Sequence, residues 1–512
     1  MIGKSKRCVR AAILAMLAAL LAVALAQPST QELSIDELSQ LAHEQNEVGT
    51  WIDLGNAYLD LEDFELAKDS FLEAIALDYL AGDGHFGLGL AEFGRGDYQA
   101  ALFSFNEVTR LFPERFDGHY NQAVTLARLR RFGEAAQAFQ MAIKEADPEA
   151  THEDRITAYL GLAGQLKQGA SFSAAADAYG SALELEPENT DLAYLQAEAL
   201  YMAERGLDAL PNLVDLEGRS SDYRVSALIA DIYVNEGQVD YALRSLDRAL
   251  TKAEASGNPE AQANILVKLG LLQRSLGSDA EAALLFQKAA ALDSSSWEAH
   301  YNLGVSYLEN GQPRSALSSL EQAVILNDMS GEIFLALAAA FDQLSQVADA
   351  EMNARRSLEF LGDEELMFQA HFILGRSLYR MGDYGGALNE FEQVLRTQPS
   401  NGQVQLWLGL SEYQQGDYRA AMQYYERAVQ LDPDSIEARV NLGASYLALE
   451  RFQDAELVYQ LLVQQNPQDA ESFYNLGWAL MSQSRRGAAR DAWQQASDLG
   501  FEPAREALGQ YF

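Results

Sequence analysis

The 512-residue sequence predicts an all-α fold in which helical hairpins stack into a solenoid. The stretch "YNLGVSYLENGQPRSAL" from Tyr301 returns as "VNLGASYLALERFQDAE" from Val440 and as "YNLGWALMSQSRRGAA" from Tyr474, with a period of 34 residues. Within each copy, apolar and small residues recur at helical spacing in two runs that a short turn separates. Each copy is therefore predicted to be one helical hairpin.

Thirteen such repeats account for most of the chain. They are predicted to begin at Val48, Gly82, Phe116, Ile156, Thr190, Tyr223, Ala263, Trp297, Gly331, Phe368, Gly402, Ile436 and Ala470. Repeat 5 is degenerate, because it has 33 residues and places Pro211 in its second helix. A proline inside a helix costs about 3 kcal/mol unless the helix bends or breaks, so this repeat is the predicted hinge or defect.

Short insertions at 150–155, 257–262 and 365–367 divide the repeats into groups and lengthen the entry to a helix. The predicted organisation is a signal peptide in 1–26, an N-terminal lead-in and cap helix in 27–47, repeats 1–3 in 48–149, repeats 4–6 in 150–256, repeats 7–9 in 257–364, repeats 10–13 in 365–503, and a C-terminal cap helix in 504–512. The segment Ser34-Ile35-Asp36-Glu37 is a capping box that opens the lead-in helix. This organisation leaves no room for a separate catalytic domain.

The N-terminal residues predict export. Four basic residues precede an uninterrupted apolar run over 11–26, which ends in small residues before Gln27. This pattern is typical of a cleaved secretory signal peptide, and the alternative is an uncleaved anchor. The only cysteine, Cys8, precedes the apolar run, so the mature chain lacks the residue needed for thiol catalysis or a cysteine-ligated metal. We expect an exported bacterial protein of the periplasm or cell envelope.

The formal charge of −38 at pH 7 excludes two classes of partner. Nucleic acid and anionic membrane surfaces are repelled by a field of this sign. The charge is expected to keep a long surface soluble, and recognition of a basic partner is the alternative. The oligomeric state is left open.

These residues resemble the tetratricopeptide repeat family. Its pattern of apolar, small, aromatic and terminal proline residues is matched in repeat 12 by Leu442, Gly443, Tyr446, Phe452, Ala455, Tyr459, Leu462 and Pro467. The resemblance implies a right-handed superhelical solenoid of helix-turn-helix repeats. It also implies a non-enzymatic scaffold that binds a protein or peptide partner in a concave groove.

Two motifs that suggest other chemistry are interpreted as packing. Gly82, Gly84 and Gly87 have the spacing G-x-G-x-x-G, but a helical pattern precedes them where a dinucleotide site requires a strand. The histidines fall at position 4 of their repeats, where other repeats have large packing residues, and successive helices are too far apart to share a small metal ion. These histidines are His85, His119, His300 and His371. The sequence predicts no catalytic residue, cofactor or metal site.

The predicted partner-binding face comprises positions 2, 5, 9, 12 and 13 of the first helices, which in this family line the groove, with asparagines at position 6. The residues selected are Tyr301, Phe372, Arg376, Tyr379, Arg380, Leu406, Tyr413, Asn441, Tyr474, Asn475 and Trp478. Aromatic and arginine side chains are common in recognition surfaces. The alternative is that these side chains fill the inside of the superhelix against their neighbours.

Arg376 and Arg380 lie one helical turn apart and are expected to clamp a carboxylate of a partner or to pair with acidic neighbours. The asparagines resemble the ladder that holds a peptide backbone in O-linked N-acetylglucosamine transferase, although other residues interrupt the ladder here. The leading hypothesis is therefore a scaffold for envelope assembly or transport. The alternative is an accessory subunit that presents substrate to a separate envelope glycan- or polysaccharide-processing enzyme.

Overall fold

The computed structural model describes residues 33–145 and 150–512. In these ranges the chain forms 28 α-helices and no strand, which confirms the all-α prediction. None of the described helices is long and apolar enough to cross a bilayer. The predicted signal peptide lies outside the described residues. The chain divides into an N-terminal half up to Ala249 and a C-terminal half from Leu250.

The N-terminal half contains a lead-in helix followed by one hairpin for each repeat. Its helices are α1 (Ile35–Gln45), α2 (Val48–Asp60), α3 (Phe64–Leu77), α4 (Gly82–Gly94), α5 (Tyr98–Leu111), α6 (Phe116–Arg128), α7 (Phe132–Lys144), α8 (His152–Gln168), α9 (Phe172–Leu185), α10 (Thr190–Met202), α11 (Gly206–Arg219) and α12 (Tyr223–Asn235). The boundary between the halves falls within α13 (Val239–Ala255).

The C-terminal half continues the same alternation of first and second helices and ends with one further helix. Its helices are α14 (Pro259–Ser275), α15 (Asp279–Leu292), α16 (Trp297–Glu309), α17 (Pro313–Leu326), α18 (Gly331–Gln343), α19 (Val347–Leu358), α20 (Glu364–Met381), α21 (Tyr384–Thr397), α22 (Gly402–Gln415), α23 (Tyr418–Leu431), α24 (Ile436–Ala448), α25 (Phe452–Gln465), α26 (Ala470–Ser482), α27 (Arg486–Asp498) and α28 (Glu502–Tyr511). In both halves, each hairpin packs on its neighbour in sequence, and first helices of successive repeats contact each other.

The turn inside every hairpin has the same backbone conformation. Position 15 of each repeat has a positive φ, which breaks the first helix so that the second can fold back on it. Glycine, which adopts this conformation without strain, occupies the position in six repeats, at residues 96, 237, 277, 311, 382 and 416. The other seven repeats have non-glycine residues there, at 62, 130, 170, 204, 345, 450 and 484. The thirteen hairpins are therefore in the predicted register at this position.

Close helix packing explains the small residue at position 8. In seven repeats a glycine at position 8 faces an aromatic ring at position 24 of the second helix. The pairs are Gly55 with Phe71, Gly89 with Phe105, Gly270 with Phe286, Gly375 with Phe391, Gly409 with Tyr425, Gly443 with Tyr459, and Gly477 with Trp493. A β-carbon at Gly409 would lie 2.5 Å from Tyr425 Cε1, closer than real β-carbons approach. The rings fill the space that the missing side chain leaves.

The G-x-G-x-x-G segment belongs to this packing. It lies in α4, directly after helix α3, and no strand precedes it. β-Carbons at Gly82 and Gly87 would collide with the rings of Phe112 and Phe71. The histidines also have structural roles, because His85 and His119 are buried and each contacts a backbone carbonyl through Nε2. Within residues 33–145 and 150–512, no cluster of three or more His, Cys, Asp or Glu is arranged to hold a metal ion.

The insertions and the two ends follow the predicted pattern with small changes. Helices α8, α14 and α20 each begin four residues before the predicted start of their repeat. Ser34 and Glu37 form both hydrogen bonds of the capping box that opens α1. The C-terminal helix begins at Glu502, two residues earlier than predicted, because a proline is tolerated in the first turn of a helix.

Repeat 5 has two helices, like the other repeats. Helix α11 is continuous through Pro211, so the proline does not end it. Pro211 lies on the exposed side of the helix, where its ring does not have to fit into the core. The hinge itself stays a prediction.

Candidate functional site

The turn between the helices also positions aromatic residues on the predicted partner-binding face. In repeats 10 and 11 the turn reads Gly-Asp-Tyr, with the glycine at the left-handed position and the aspartate capping the second helix. The tyrosine of each turn packs edge to face against position 12. The ring centroids are 5.4 Å apart for Tyr379 and Tyr384, and 4.9 Å for Tyr413 and Tyr418. The turn therefore fixes the orientation of two half-buried tyrosines on the first helices.

Phe372, Arg376, Tyr379 and Trp407 form a contiguous group, called here the aromatic–arginine cluster. The Tyr379 and Trp407 rings are 5.3 Å apart. The Arg376 guanidinium lies 5.6 Å from the Trp407 ring centroid and 5.9 Å from that of Phe372. Arginine interacts favourably with an aromatic face at such distances. Phe391, fully buried below, packs on both Phe372 and Trp407 and anchors the cluster to the core.

Arg376 and Arg380 of repeat 10 both bind one carboxylate of repeat 9. Asp342 accepts a hydrogen bond from Arg380 at 2.7 Å and pairs with Arg376 at 3.3 Å. Of the two alternatives predicted for Arg376 and Arg380, the structure therefore shows the pairing with an acidic neighbour of the same chain. Two guanidinium groups therefore share this single carboxylate beside the aromatic rings. The arginine side chains are 25% and 32% exposed, so a partner can reach their charge.

One donor of the cluster is unsatisfied. The Nε atom of Arg376 is buried without a hydrogen-bond partner. An unpaired buried donor costs free energy, so a partner acceptor that reorients this side chain gains an additional hydrogen bond. The arrangement thus combines aromatic surface, positive charge and an unused donor, and it suits a peptide carbonyl or carboxylate beside an apolar side chain.

Burial sets the protonation of the tyrosines on this face. It raises the pKa of the Tyr379 and Tyr413 hydroxyls above the ordinary value for tyrosine. Burial also raises the pKa of Tyr301, the position-5 residue of repeat 8. All three hydroxyls therefore stay neutral near pH 7, and each is able both to donate and to accept a hydrogen bond.

The position-6 asparagines bond within their own helices. The amide nitrogens of Asn302 and Asn441 donate to the carbonyls of Glu298 and Glu437, one turn earlier, at 2.8 and 2.9 Å. Because Nδ2 is used in this way, Asn441 offers Oδ1 as its acceptor for a peptide N–H. Asn475 is half-buried at the same position of the next repeat. The ladder of two residues predicted for this end stays a prediction.

Three selected residues lie in different surroundings from those predicted. Leu406 is only 8% exposed and packs in the core with Tyr425, so it is not a contact for a partner in this conformation. Position 5 lies at the edge of the first-helix face, next to the positions that pack in the core. The C-terminal helix covers Trp478, and the ring centroids of Trp478 and Tyr511 are 5.7 Å apart. The ring centroids of Tyr474 and Phe501 are 5.2 Å apart. Both aromatic residues help to close the end of the last repeat.

Two residues of the site are missing from the sequence prediction. Asp342 sits at position 12 of repeat 9, and its partners are more than thirty residues away, so only the fold brings them together. Trp407 occupies position 6, the position of the asparagines in other repeats. Its large aromatic ring, where the other repeats have polar, small or aliphatic residues, is the one sequence signal that marks it.

Comparison with protein families identifies the repeats. Models of the tetratricopeptide repeat match residues 52–106, 93–151, 301–359 and 373–436, a second such model matches 412–492, and a TPR repeat model matches 270–311. Together these matches cover well over half of the chain. The chain belongs to the tetratricopeptide repeat family. Proteins of this family bind protein or peptide partners, so the repeats indicate a protein–protein interaction scaffold.

Similar proteins match only in part. DnaJ homolog subfamily C member 3 of Homo sapiens is 24% identical over 48% of this chain and 52% of its own length. BBSome complex member BBS4 of Bos taurus is 23% identical over 58% of this chain and 55% of its own length. Tetratricopeptide repeat protein 34 of Homo sapiens is 28% identical over 35% of this chain and 34% of its own length. This chain thus spans about half the length of the first two relatives.

Solved structures with the same repeats also match. The crystal structure of YrrB, described as a TPR protein with an unusual peptide-binding site, is 24% identical and covers 37% of this chain and 95% of its own, with a TM-score of 0.34. Pseudomonas aeruginosa PilF is 20% identical and covers 40% of this chain and 92% of its own, with a TM-score of 0.36. The Cut9–Hcn1 structure is 15% identical and covers 88% of this chain and 99% of its own, with a TM-score of 0.35. The family assignment rests on the repeat models.

Proposed function

We propose that this chain is a non-enzymatic scaffold, exported to the cell envelope of a bacterium, that holds a partner protein along the first-helix face of repeats 8 to 13. The observation that carries the proposal is the aromatic–arginine cluster with its neighbour Tyr413. The turns hold the rings of Tyr379 and Tyr413. The buried Phe391 holds those of Phe372 and Trp407, and this preorganisation lowers the entropy lost on binding. Arginine and aromatic side chains dominate the binding energy of many protein interfaces.

The bound segment is proposed to be extended or helical, with an apolar side chain against Tyr379 and Tyr413 and a carbonyl or carboxylate near Arg376. Export is supported by the N-terminal sequence alone, through its basic residues and apolar run over 11–26. The role in envelope assembly or transport rests on export together with the scaffold architecture.

Site-specific photocrosslinking in intact cells tests the binding face. A photoreactive residue at Gln414, which is exposed beside Tyr413 on the first helix of repeat 11, is expected to give a discrete adduct. The same residue at Leu457, which is 62% exposed on a second helix, is the matched control and is expected to give none. Adducts from Leu457 alone would place the partner on the other side of the repeats.

Substitution tests the cluster directly. Tyr379→Ala combined with Tyr413→Ala is expected to abolish the Gln414 adduct while the helical circular dichroism is kept. Tyr241→Ala removes an exposed tyrosine from the second helix of repeat 6 and is expected to leave the adduct unchanged. An unchanged adduct in the double variant would contradict the assignment of this face. Cell fractionation and N-terminal sequencing test export, with a mature chain expected to begin near Gln27.

A further inference from the structure

An internal comparison between two repeats reveals a polar position that has lost its partner. Most repeats have an aliphatic residue at position 7, but repeats 3 and 5 have Gln122 and Gln196. The amide nitrogen of Gln122 donates to Asn106 Oδ1, at position 25 of the preceding repeat, at 2.7 Å. At the same position opposite Gln196 the chain has Gly180, which provides no side-chain acceptor.

An open cavity of about 650 Å³ lies beside Gly180, between α9 and α10. A β-carbon at Gly180 would lie 2.7 Å from Gln196 Nε2, so this glycine directly faces the amide. The cavity is lined by Asp177, Gly180, Ser181, Leu183, Glu184, Pro187 and Gln196. None of them occupies a position of the partner-binding face, so this site is separate from the aromatic–arginine cluster.

The charge of the cavity restricts what it can bind. Asp177 and Glu184 lie on one side of α9, seven residues or about 10 Å apart along the helix, and neither forms an ion pair with any described residue. The cations of the surrounding helices are already paired, since Arg219 binds Glu188 at 2.9 Å and Arg205 binds Asp208 at 2.9 Å. The two exposed carboxylates give the cavity a negative charge, which favours a cationic ligand.

We propose that this cavity binds a short basic segment of a partner protein. A peptide carbonyl of the segment takes the place that Asn106 Oδ1 has opposite Gln122 and accepts the hydrogen bond from Gln196 Nε2. A lysine or arginine side chain of the same segment pairs with Asp177 or Glu184, and its methylene groups cover Leu183 and Pro187. The segment supplies an acceptor and a cation together, which a free polyamine or an inorganic cation does not.

Fluorescence anisotropy with the full chain tests the proposal. The probe is a labelled peptide, acetyl-Gly-Lys-Gly-Lys-Gly-amide, and the comparison peptide has both lysines acetylated. The unmodified peptide is expected to bind at least about tenfold more tightly, in line with the loss of a charge-assisted bond. Spermidine is expected to compete only weakly. Equal binding of the two peptides, or spermidine binding as tight as that of the lysine peptide, would overturn the proposal.

Two substitutions test the cavity itself. Gly180→Asn restores the side chain found opposite Gln122. It is expected to accept the hydrogen bond from Gln196 Nε2 in place of the peptide carbonyl and to reduce peptide affinity at least about tenfold. Gln196→Leu introduces the residue type that most repeats have at position 7, so it is expected to fold normally and to lose the same affinity. Peptide binding that survives both changes would place the peptide elsewhere.

Matched controls separate the site from the general acidity of the chain. Asp177→Asn with Glu184→Gln is expected to weaken binding, whereas Asp279→Asn with Glu281→Gln, which removes two exposed carboxylates from α15, is expected to have no effect. An equal loss in both variants would show nonspecific attraction and overturn the proposal. Tyr379→Ala with Tyr413→Ala is expected to leave the peptide affinity unchanged, so the outcome does not depend on the proposed groove function.

Discussion

The carboxylate of Asp342 bridges two guanidinium groups of the following repeat, at 2.7 Å from Arg380 Nη1 and 3.3 Å from Arg376 Nη1. The Asp342 side chain is only 9% exposed, while both arginines stay partly accessible. The ion pair therefore links repeats 9 and 10 and at the same time determines how much positive charge a partner meets.

Asp342→Asn is expected to lower the free energy of unfolding by about 1–3 kcal/mol, because two partly buried cations lose their counter-ion. Urea denaturation followed by circular dichroism measures this change. Asp328→Asn, which alters an exposed residue of the loop before α18, is the control and is expected to have no effect. Equal stability of the Asp342 variant and the native chain would show that the bridge contributes nothing.

Gly409→Ala is expected to destabilise the chain by about 1–3 kcal/mol, because the added methyl group overlaps the Tyr425 ring in a packed core. Gly164→Ala is the matched change, since this helical glycine has no atom within 4 Å of an added β-carbon. There the higher helix propensity of alanine is expected to stabilise the chain by up to about 1 kcal/mol. Thermal unfolding of both variants measures the difference, and the same sign for both would contradict the packing argument.

Ala170→Gly is expected to stabilise the turn of repeat 4 by about 1 kcal/mol, because Ala170 has φ 55°, which favours glycine. Gly416→Ala makes the opposite change at φ 85° in repeat 11 and is expected to destabilise by a similar amount. Both positions are exposed, so packing contributes little to either result. Chemical denaturation of the pair measures the effect, and a stabilised Gly416 variant would refute it.

Stability is expected to depend on the protonation of Glu92. This residue is 7% exposed, and burial raises the pKa of its carboxyl above the ordinary value for glutamate, with Ser104 Oγ donating to it at 2.8 Å as a smaller, opposing effect. Because the native state favours the neutral form, this contribution is present below the ordinary pKa and is lost as pH rises through the raised pKa.

Glu92→Gln keeps the shape and removes the titration. The variant is therefore expected to be more stable than the native chain near pH 8, by about 1 kcal/mol, and the gain is expected to disappear near pH 4. Urea unfolding at the two pH values checks this sign. A gain at pH 4 that is lost at pH 8 would contradict the effect of burial.

The fold was predictable because its determinants are local and repeated. The glycine or other turn residue at position 15, the small residue at position 8 and the ring at position 24 recur at fixed spacing, so each copy reinforces the register of the others. Repeat 5 departs from this pattern and still forms both helices. Helix α11 continues through Pro211, whose ring lies on the exposed side of the helix.

The candidate site was predictable only in part, because its contacts cross from one repeat to the next. The sequence identified Tyr379, Arg376 and Arg380, but their partner Asp342 depends on how successive first helices pack. Leu406 was selected by its position on an ideal helix, whereas the burial of position 5 depends on the neighbouring second helix. Similarly, the cover over Trp478 comes from a helix that lies outside the repeat pattern.

The constancy of the turn at position 15 has a consequence for engineering and for evolution. The connection inside a hairpin has two or three residues in every repeat, whereas the connections between hairpins range from three residues before α14 to seven before α8. Length variation is therefore tolerated between hairpins and not within them, which makes the whole hairpin the natural module for duplication, deletion or exchange. A reporter peptide inserted at the entry to α20, before Asp363, would leave both adjoining turns in register.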